Sequence, residues 1–399
     1  ISTQALGSEE VTNGDFSAAG INLVDNPNFT DGVEKIDDGD FPLPNVNWTL
    51  NSGVTIPSAG ILDFNGTAGA YAYQDILTSG NSYKVTIEVA DASLTDTLVV
   101  YLGAVNAIYS SVVAADTTIV IYGVAGGLDN QFYIGNWEGT ITNVSVKELG
   151  ADWTAYTSGT STVEYNSSGA NLLIDSGANG GSNVGVYQEN IFELGKSYKI
   201  VLSMKATASF DAEVVESNLA ATENEIGTVS LTTSYQTFTF YYVGTGTYDL
   251  FIHRLYNGGG ASQTISIQSV SVQELGEGWT LGSGWSIGED KAVYDGTGGT
   301  SKIFQDITVS ANTSYKISIT VLSNEGTGTN IIELGSDRVN SAHLPASATP
   351  YVFYGISDAT TERLNIYGRS GEVFEVTNIS VKEIATSYLT QAVSLSAKT

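Results

Sequence analysis

Apolar and polar residues alternate with a period of two in three segments that begin with nearly the same phrase. Ser-Tyr-Lys followed by Val or Ile starts at residues 82, 197 and 314. In each copy, the tyrosine and every second residue after it are apolar, while the residues between them are mostly polar. This pattern predicts an antiparallel strand with one face on a core. A glutamine-bearing strand precedes each copy at Gln74, Gln188 and Gln305, and its spacing predicts a hairpin-like step to the tyrosine strand.

A second phrase closes each copy, at residues 143–149, 269–275 and 378–384. The spacing between the repeated tyrosines, Tyr83, Tyr198 and Tyr315, far exceeds the roughly 20–50 residues of a solenoid repeat. Each copy is therefore predicted to be a whole domain. Glycine (44) and tyrosine (22) are abundant and helix signals are nearly absent, so short strands joined by turns predict an all-β chain of three tandem antiparallel β-sandwich domains.

The phrases predict five segments along the chain. Each module opens near a tryptophan (Trp48, Trp153 or Trp279) and ends at its closing phrase. Two opening phrases, at residues 11–16 and 24–29, compete for the start of the first module, and the sequence leaves that choice open. The predicted segments are an N-terminal arm or the end of a preceding module at 1–22, modules at 23–150, 151–276 and 277–386, and a C-terminal tail at 387–399.

Charge and composition exclude several classes of function. Fifteen Lys and Arg face 43 Asp and Glu, and this net charge of −28 repels phosphate backbones, so we expect no nucleic-acid partner. Without cysteine, the chain has neither disulfides nor thiolate metal sites. No stretch reaches the roughly eighteen apolar residues of a membrane helix. The sequence of residues 2–7 is similar to that of residues 271–276, where the second module ends. We therefore expect that the chain was cut from a longer one and begins with the last strand of a preceding module.

Three phrases together resemble a known family. Asn-Gly-Asp-Phe at 13–16, Trp-Thr-x-Gly-x-Gly-Trp-Ser at 279–286 and the closing Asn-Val-Ser-Val-Lys-Glu at 143–148 resemble jelly-roll carbohydrate-binding modules of the family 4/9 type. They are still more similar to tandem copies of such modules in phage virion proteins, particularly tail and capsid fibres. The resemblance implies a jelly-roll sandwich without catalysis, glycan contact, and a location on the virion surface or outside the cell.

The same resemblance bears on metal binding. Modules of this type often hold a structural calcium ion partly through an aspartate before the closing strand, where this chain has Asn143, Ser269 and Asn378. Loss of the carboxylate weakens a site for a hard cation, so no cofactor is predicted. The acidic run at 37–40 reads as a turn and not as a calcium loop. His253 and His343 lie in different modules and lack the spacing of a zinc site.

Aromatic and amide side chains are the best candidates for ligand contact, since sugars stack on aromatic rings while amides bond their hydroxyls. The opening tryptophans recur in every copy and therefore favour a core role. The loops before the closing strands differ between copies, and recognition residues concentrate in such variable loops. The candidate residues for glycan or protein contact are Trp137, Asn136, Tyr256, Asn257, Tyr367 and Arg369.

These observations favour a non-catalytic adhesion protein, displayed on a phage fibre or as a capsid decoration, that attaches to host surface polysaccharide. Its expected protein partners are other virion proteins or copies of itself in a homo-oligomer. Repeated weak modules would give strong attachment through multivalency. Two alternatives remain: a purely structural virion or filament subunit, and the non-catalytic module array of a secreted polysaccharide-degrading enzyme.

Overall fold

The computed structural model places the strands of this chain in six antiparallel sheets. Within the described residues it contains strands and turns but no helix, and no segment suited to crossing a membrane as a helix. The structure describes residues 6–29, 32–92, 96–103, 107–113, 115–127, 129–157, 159–175, 184–219, 223–254 and 262–384. The predicted tail at 387–399 lies outside these ranges.

Among the described residues, three short strands come first, and thirty more strands follow in three groups of ten. The first three are β1 (Leu6–Glu9), β2 (Ala19–Asn22) and β3 (Gly32–Glu34). The first group is β4 (Thr49–Leu50), β5 (Val54–Ser58), β6 (Ile61–Asn65), β7 (Tyr71–Asp75), β8 (Ser82–Ala92), β9 (Thr97–Leu102), β10 (Ala107–Val112), β11 (Thr117–Val124), β12 (Gln131–Gly135) and β13 (Glu138–Leu149).

The second group is β14 (Thr154–Tyr156), β15 (Thr162–Asn166), β16 (Gly169–Ile174), β17 (Gly185–Phe192), β18 (Ser197–Ala206), β19 (Phe210–Ser217), β20 (Glu223–Leu231), β21 (Gln236–Val243), β22 (Tyr248–Arg254) and β23 (Gln263–Leu275). The third group is β24 (Thr280–Leu281), β25 (Trp285–Gly288), β26 (Lys291–Tyr294), β27 (Ser301–Thr308), β28 (Ser314–Asn324), β29 (Asn330–Leu334), β30 (Asp337–Ala342), β31 (Tyr351–Ile356), β32 (Thr361–Gly368) and β33 (Phe374–Ile384).

Each group, together with one of the first three strands, forms a six-stranded and a five-stranded sheet around one hydrophobic core, and we call each such assembly a unit. In the first unit the five-stranded sheet has the order β10-β9-β12-β7-β4, and the six-stranded sheet has the order β11-β8-β13-β6-β5 with β3 paired to β13. The second and third units repeat both orders strand for strand. The predicted all-β fold of antiparallel sandwiches is therefore confirmed.

The alternating pattern after each Ser-Tyr-Lys phrase corresponds to β8, β18 and β28, whose apolar positions are buried. The expected hairpin step before these strands is wrong. The preceding strands β7, β17 and β27 lie in the five-stranded sheets, whereas β8, β18 and β28 lie in the six-stranded sheets. The intervening turn crosses from one sheet to the other because each strand buries its apolar face from the opposite side of the core.

The first 41 residues supply one opening segment to each unit, in reverse order along the chain. β1 pairs with β33 of the third unit, β2 with β23 of the second, and β3 with β13 of the first. Three phenylalanines that follow these strands are almost fully buried, each in a different core: Phe16 in the third, Phe29 in the second and Phe41 in the first.

These contacts correct the expected boundaries at the N-terminus. Residues 6–16 belong with the third unit and 19–29 with the second, so 1–22 is neither a free arm nor the end of a preceding module over its described part. Neither competing phrase opens the first unit. Its opener is the third copy of the phrase, Ile36–Phe41, whose acidic residues masked its likeness to the other two.

One set of hydrogen bonds holds every opening segment. The buried Gln305 side chain accepts a hydrogen bond from Thr12 N at 2.8 Å and donates one to Thr12 O at 3.0 Å. Gln188 and Gln74 make the same two bonds with Asp25 and Asp37. Because a buried amide needs both partners, this exchange fixes the segment in register with the sheet.

The opening tryptophans confirm their predicted core role, since Trp48, Trp153 and Trp279 are buried. Each indole N–H donates to a backbone oxygen of the opening segment: Asp38 O at 2.9 Å, Asn26 O at 3.1 Å and Asn13 O at 3.1 Å. The ring of each tryptophan also contacts the buried phenylalanine of its unit. Tryptophan is suited to this place because its body is apolar and its one donor has a partner.

Candidate functional site

Four tyrosines form a row on the outer face of the five-stranded sheet of the first unit. Tyr101, Tyr133 and Tyr73 lie opposite one another on β9, β12 and β7, and Tyr71 lies two residues before Tyr73. The ring centroids of Tyr73 and Tyr133 are 5.4 Å apart, those of Tyr71 and Tyr133 5.7 Å, and those of Tyr101 and Tyr133 6.4 Å. We call this set the tyrosine row.

The alternation of β-strands explains why these rings share a face. On β7, Ala72 and Gln74 are buried while Tyr71 and Tyr73 face outward, and on β12 Ile134 is buried beside the outward Tyr133. Directly opposite residues on paired antiparallel strands lie on the same side of the sheet. Register therefore places one ring on each of three neighbouring strands.

The tyrosine row borders a groove of about 500 Å³. Its lining is apolar and aromatic with one exposed amide, and consists of Gly69, Ala70, Tyr71, Val99, Tyr101, Tyr133, Gly135 and Asn136. Gly135 is required there, because a Cβ atom would lie 2.2 Å from Ala70 O and 2.7 Å from Tyr71 Cα. The size and lining are typical of a small-ligand site, where a few polar groups orient a mostly apolar contact.

The groove offers hydrogen-bonding groups but no charge among the described residues that line it. Within the described part of the chain, no protein group bonds the hydroxyls of the tyrosine row, which leaves them available to a ligand. Burial raises the pKa of Tyr133, and the nearby Asp129 carboxylate raises it further. Tyr133 is therefore a neutral hydroxyl that can both donate and accept.

The same face of the third unit is covered by charged side chains. Phe304 occupies the position of Tyr73, and the guanidinium carbon of Arg363 lies 4.1 Å from the centroid of its ring. Lys302, at the position of Tyr71, places its Nζ 5.3 Å from the same centroid. Arg363 is itself held by Asp306 at 2.7 Å. The cations take the ring faces that an apolar ligand surface would need.

The second unit presents a third version of this face. Tyr187 occupies the position of Tyr73, but Phe251, at the position of Tyr133, is only 1% exposed. Tyr156 and His253 cover its ring, with centroids 5.4 Å and 4.5 Å away. Val215 stands where the first unit has Tyr101. The described residues of this face thus hold no open row of rings.

The predicted site residues are placed very differently from one another. Trp137 is 1% exposed and lies in the core of the first unit beside Phe64, so its prediction as an exposed aromatic tip is wrong. The backbone turns at Asn136, where φ is 56°, and this turn directs the following side chain inward. Asn136 itself is exposed and lies on the groove. Tyr256 and Asn257 lie outside the described residues.

The two remaining candidates belong to the third unit and do not reach the groove of the first. The Tyr367 hydroxyl donates to Glu333 Oε2 at 3.0 Å, and burial together with this carboxylate raises the pKa of Tyr367. Arg369 donates from Nε to Thr329 O at 3.0 Å. Both side chains are engaged within their own unit, so the structure does not bring the four described candidates together.

The groups considered for metal binding are also engaged in other contacts. His253 is buried with Nδ1 2.9 Å from Arg254 O, and His343 Nδ1 is 3.2 Å from Gly328 O. The acidic run at 37–40 is part of the opening segment of the first unit. The described residues contain no cluster of three or more potential His, Cys, Asp or Glu ligands.

Comparisons with known proteins gave weak structural likenesses only. No protein-family model matches the chain, and neither does any curated protein. A solved structure described as "CBM4 structure and function" is 18% identical, covers 31% of this chain and 94% of its own, and has a TM-score of 0.26. The N-terminal cellulose-binding domain of Cellulomonas fimi β-1,4-glucanase C is 15% identical over 31% and 88%, with a TM-score of 0.26.

A third likeness extends over two units. The N-terminal CBM22-1–CBM22-2 tandem domain of Paenibacillus barcinonensis Xyn10C is 11% identical, covers 62% of this chain and 99% of its own, and has a TM-score of 0.24. Likeness at this level carries no functional assignment. The tyrosine row is the feature of this chain that indicates a function.

Proposed function

We propose that this chain is a non-catalytic attachment protein whose first unit binds a neutral polysaccharide in the groove of the tyrosine row. The single observation that supports this most strongly is the alignment of Tyr73, Tyr133 and Tyr101 across three adjacent strands. Pyranose rings present an apolar C–H face to such rings, while their hydroxyls bond to phenols and amides at the edge. An extended sugar chain lying across the strands would meet successive rings.

The chemistry around the groove selects a neutral glycan. Asp75 pairs with Gln131 next to the row, Asp129 lies close enough to influence Tyr133, and the chain carries a net charge of −28. An anionic polysaccharide would approach against this field. Because none of the described residues lining the groove is a carboxylic acid, the pair of acids that a glycosidase requires is missing from the lining.

Attachment to a surface is the role in which such a groove would be most effective. A single open groove of this size predicts weak binding, which several copies displayed together would strengthen without any new contact. We propose display on a phage fibre or as a capsid decoration, with host surface polysaccharide as the target. Binding by the same groove inside a secreted polysaccharide-degrading enzyme would use the identical chemistry.

Affinity electrophoresis of the full chain tests this proposal. Native gels would contain one neutral polysaccharide each (xylan, mixed-linkage β-glucan or galactomannan) or the anionic polygalacturonate. We expect retardation by at least one neutral gel and none by polygalacturonate. Tyr133→Ala should weaken retention about two- to twelvefold, because loss of one stacking ring costs roughly 0.5–1.5 kcal/mol.

Phe304→Ala is the matched control, since it removes one aromatic ring from the corresponding face of the third unit. It should leave retention unchanged. Equal loss in both variants would contradict the assignment of binding to the first unit. Absence of retention by every neutral polysaccharide, with the chain folded, would favour a purely structural subunit instead.

A further inference from the structure

The two junctions between consecutive units use the same contact. At the first, Tyr165 N of the second unit donates to the Ser82 hydroxyl of the first at 2.9 Å. At the second, Ile287 N of the third unit donates to the Ser197 hydroxyl of the second, also at 2.9 Å. Ser82 and Ser197 open the Ser-Tyr-Lys phrases, and Tyr165 and Ile287 occupy equivalent places on β15 and β25.

Apolar packing surrounds each of these hydrogen bonds. Tyr122 lies on β11, opposite Lys84 of β8, and packs against the hydrophobic core of the second unit. Tyr241 lies on β21, opposite Lys199 of β18, and contacts Gly288 of the third unit. The contact is so close that a Cβ atom added at Gly288 would lie 2.8 Å from the Tyr241 ring. Each junction therefore has two parts. One is a receiving surface, formed by the serine that begins β8 or β18 and by the tyrosine on the neighbouring β11 or β21. The other is the first hairpin of the next unit, which packs on this surface.

The third unit carries a third copy of the receiving surface. Ser314, Tyr354 and Ile356 hold the positions of Ser82, Tyr122 and Val124 in the first unit. We call these three residues the end surface. Tyr354 is 61% exposed and Ile356 59%, whereas at the junctions Tyr241 is 40% exposed and Tyr122, Val124 and Val243 are partly buried. Ser314 is also more accessible than the buried Ser82 and Ser197.

The first unit carries the complementary part. Its hairpin β5–β6 is equivalent to β15–β16 and β25–β26, and Ile56 falls at the position of Tyr165 and Ile287. Ile56 is partly exposed, and Thr55, Pro57 and Ser58 beside it are exposed. The chain thus bears one receiving surface and one inserting hairpin beyond those that its own junctions use.

We propose that the end surface binds the β5–β6 hairpin of a second copy, so that chains associate head to tail. Both internal junctions identify a β5–β6 hairpin as the occupant, because an equivalent hairpin covers the same positions at each of them. Both junctions also turn the chain at a glycine of positive φ, Gly150 or Gly276. The corresponding sequence position is Ala385, outside the described residues, and a hairpin from a separate copy does not require this turn.

A contact between two different surfaces is heterologous and extends into a linear or helical assembly unless its rotation closes a ring. Because each chain has a net charge of −28, repulsion opposes association at low ionic strength. Association should therefore increase from about 0.05 M to about 0.5 M salt, where the Debye length becomes shorter than the distance between most surface charges. The inference does not depend on glycan binding.

Sedimentation velocity of the full chain over a concentration series tests the proposal. The wild-type chain should form oligomers that grow with concentration and with salt. Tyr354→Asp, which blocks the end surface, and Ser58→Asp, which blocks the hairpin, should each weaken self-association about tenfold or more. An equimolar mixture of the two variants should recover dimers and nothing larger, since each supplies the surface that the other lacks.

Val352→Asp is the matched control on the same strand. Val120, its equivalent in the first unit, stays 50% exposed although a unit follows, so Val352 should remain outside the contact. This variant and Tyr133→Ala should assemble like the wild type. A wild-type chain that stays monomeric would overturn the proposal, as would self-association of either blocked variant as strong as that of the wild type, or a mixture that remains monomeric. If deletion of residues 387–399 were needed for assembly, the chain's own tail would be the occupant and the proposal would be wrong. Near-ultraviolet circular dichroism of each variant confirms that it is folded.

Discussion

The five-stranded sheets of the first and third units share their strand order and register, but their outer faces carry chemically different side chains. Where the first unit has Tyr71, Tyr73 and Tyr101, the third has Lys302, Phe304 and Glu333. The first surface is an open aromatic groove, and the second is closed by cations lying on its rings. Buried positions fix the sandwich, so the outward positions of the same strands are free to determine what each unit binds.

The largest expected effect is on the stability of each unit's core, to which the opening segments contribute a buried phenylalanine. Phe16→Ala should destabilise the third unit by about 3–5 kcal/mol and leave the first unchanged, because this buried ring belongs to the core of the third unit despite its place near the N-terminus. Hydrogen exchange measured by mass spectrometry would show faster exchange in β27 and β32. Phe41→Ala is the control and should affect β7 and β12 instead. Faster exchange of the first unit in Phe16→Ala would contradict the reverse order of the opening segments.

The glutamine that anchors each opening segment gives the next effect. Gln305→Leu removes two hydrogen bonds and leaves Thr12 N and O without their partner, which should cost about 1–3 kcal/mol in the third unit. Gln74→Leu should do the same in the first unit. Urea unfolding followed by unit-specific hydrogen exchange measures both. Equal destabilisation of both units by either variant would show that the units do not unfold separately.

Converting the first surface into the third tests the comparison directly. The double variant Tyr71→Lys and Tyr101→Glu copies Lys302 and Glu333 at the equivalent positions. We expect about thirtyfold weaker polysaccharide binding, or roughly 2 kcal/mol for two lost stacking faces. Affinity electrophoresis provides the measurement, and unchanged thermal unfolding provides the control for folding. Full retention by the double variant would place binding elsewhere.

The ion pair on the third surface should have the smallest effect. The Arg363 guanidinium, hydrogen-bonded to Asp306, holds the pKa of that carboxyl below its ordinary value. The stability that this ion pair provides is fully present above the pKa of Asp306 in the unfolded chain. It is lost as the pH falls through the lower pKa that Asp306 has in the folded protein. Since both groups are about half exposed, solvent screens the pair, and Arg363→Gln should lower stability only slightly, and less at high salt. A nuclear magnetic resonance titration should show the pKa of Asp306 rising in this variant; an unchanged pKa would contradict the pairing.

The sequence predicted the sandwich but not how its opening segments are shared. The period of two identified the buried positions of β8, β18 and β28 because half-buried strands impose that period locally. The pairing of β1 with β33 joins residues near opposite ends of the chain, and no local pattern encodes such a contact. The third opening phrase, Ile36–Phe41, could have been found by aligning it with the two that were recognised.

The tyrosine row was missed for a related reason. Tyr71 and Tyr73 were visible as alternating positions on one strand, but their neighbours Tyr133 and Tyr101 depend on the register between three strands. A tryptophan near a variable loop is typical of recognition, which predicts an exposed Trp137, yet the turn at Asn136 directs this side chain inward. Composition indicates which residues can bind a sugar, whereas strand pairing decides which of them share a surface.

Titration of the intact chain with soluble oligosaccharides of whichever neutral polysaccharide retards it tests the central claim most directly. With the tyrosine rings isotope-labelled, nuclear magnetic resonance spectra should show saturable shifts for Tyr71, Tyr73, Tyr101 and Tyr133 while Tyr354 and Tyr367 stay in place. Shifts confined to tyrosines of the second or third unit, or binding that moves none of the four, would contradict it.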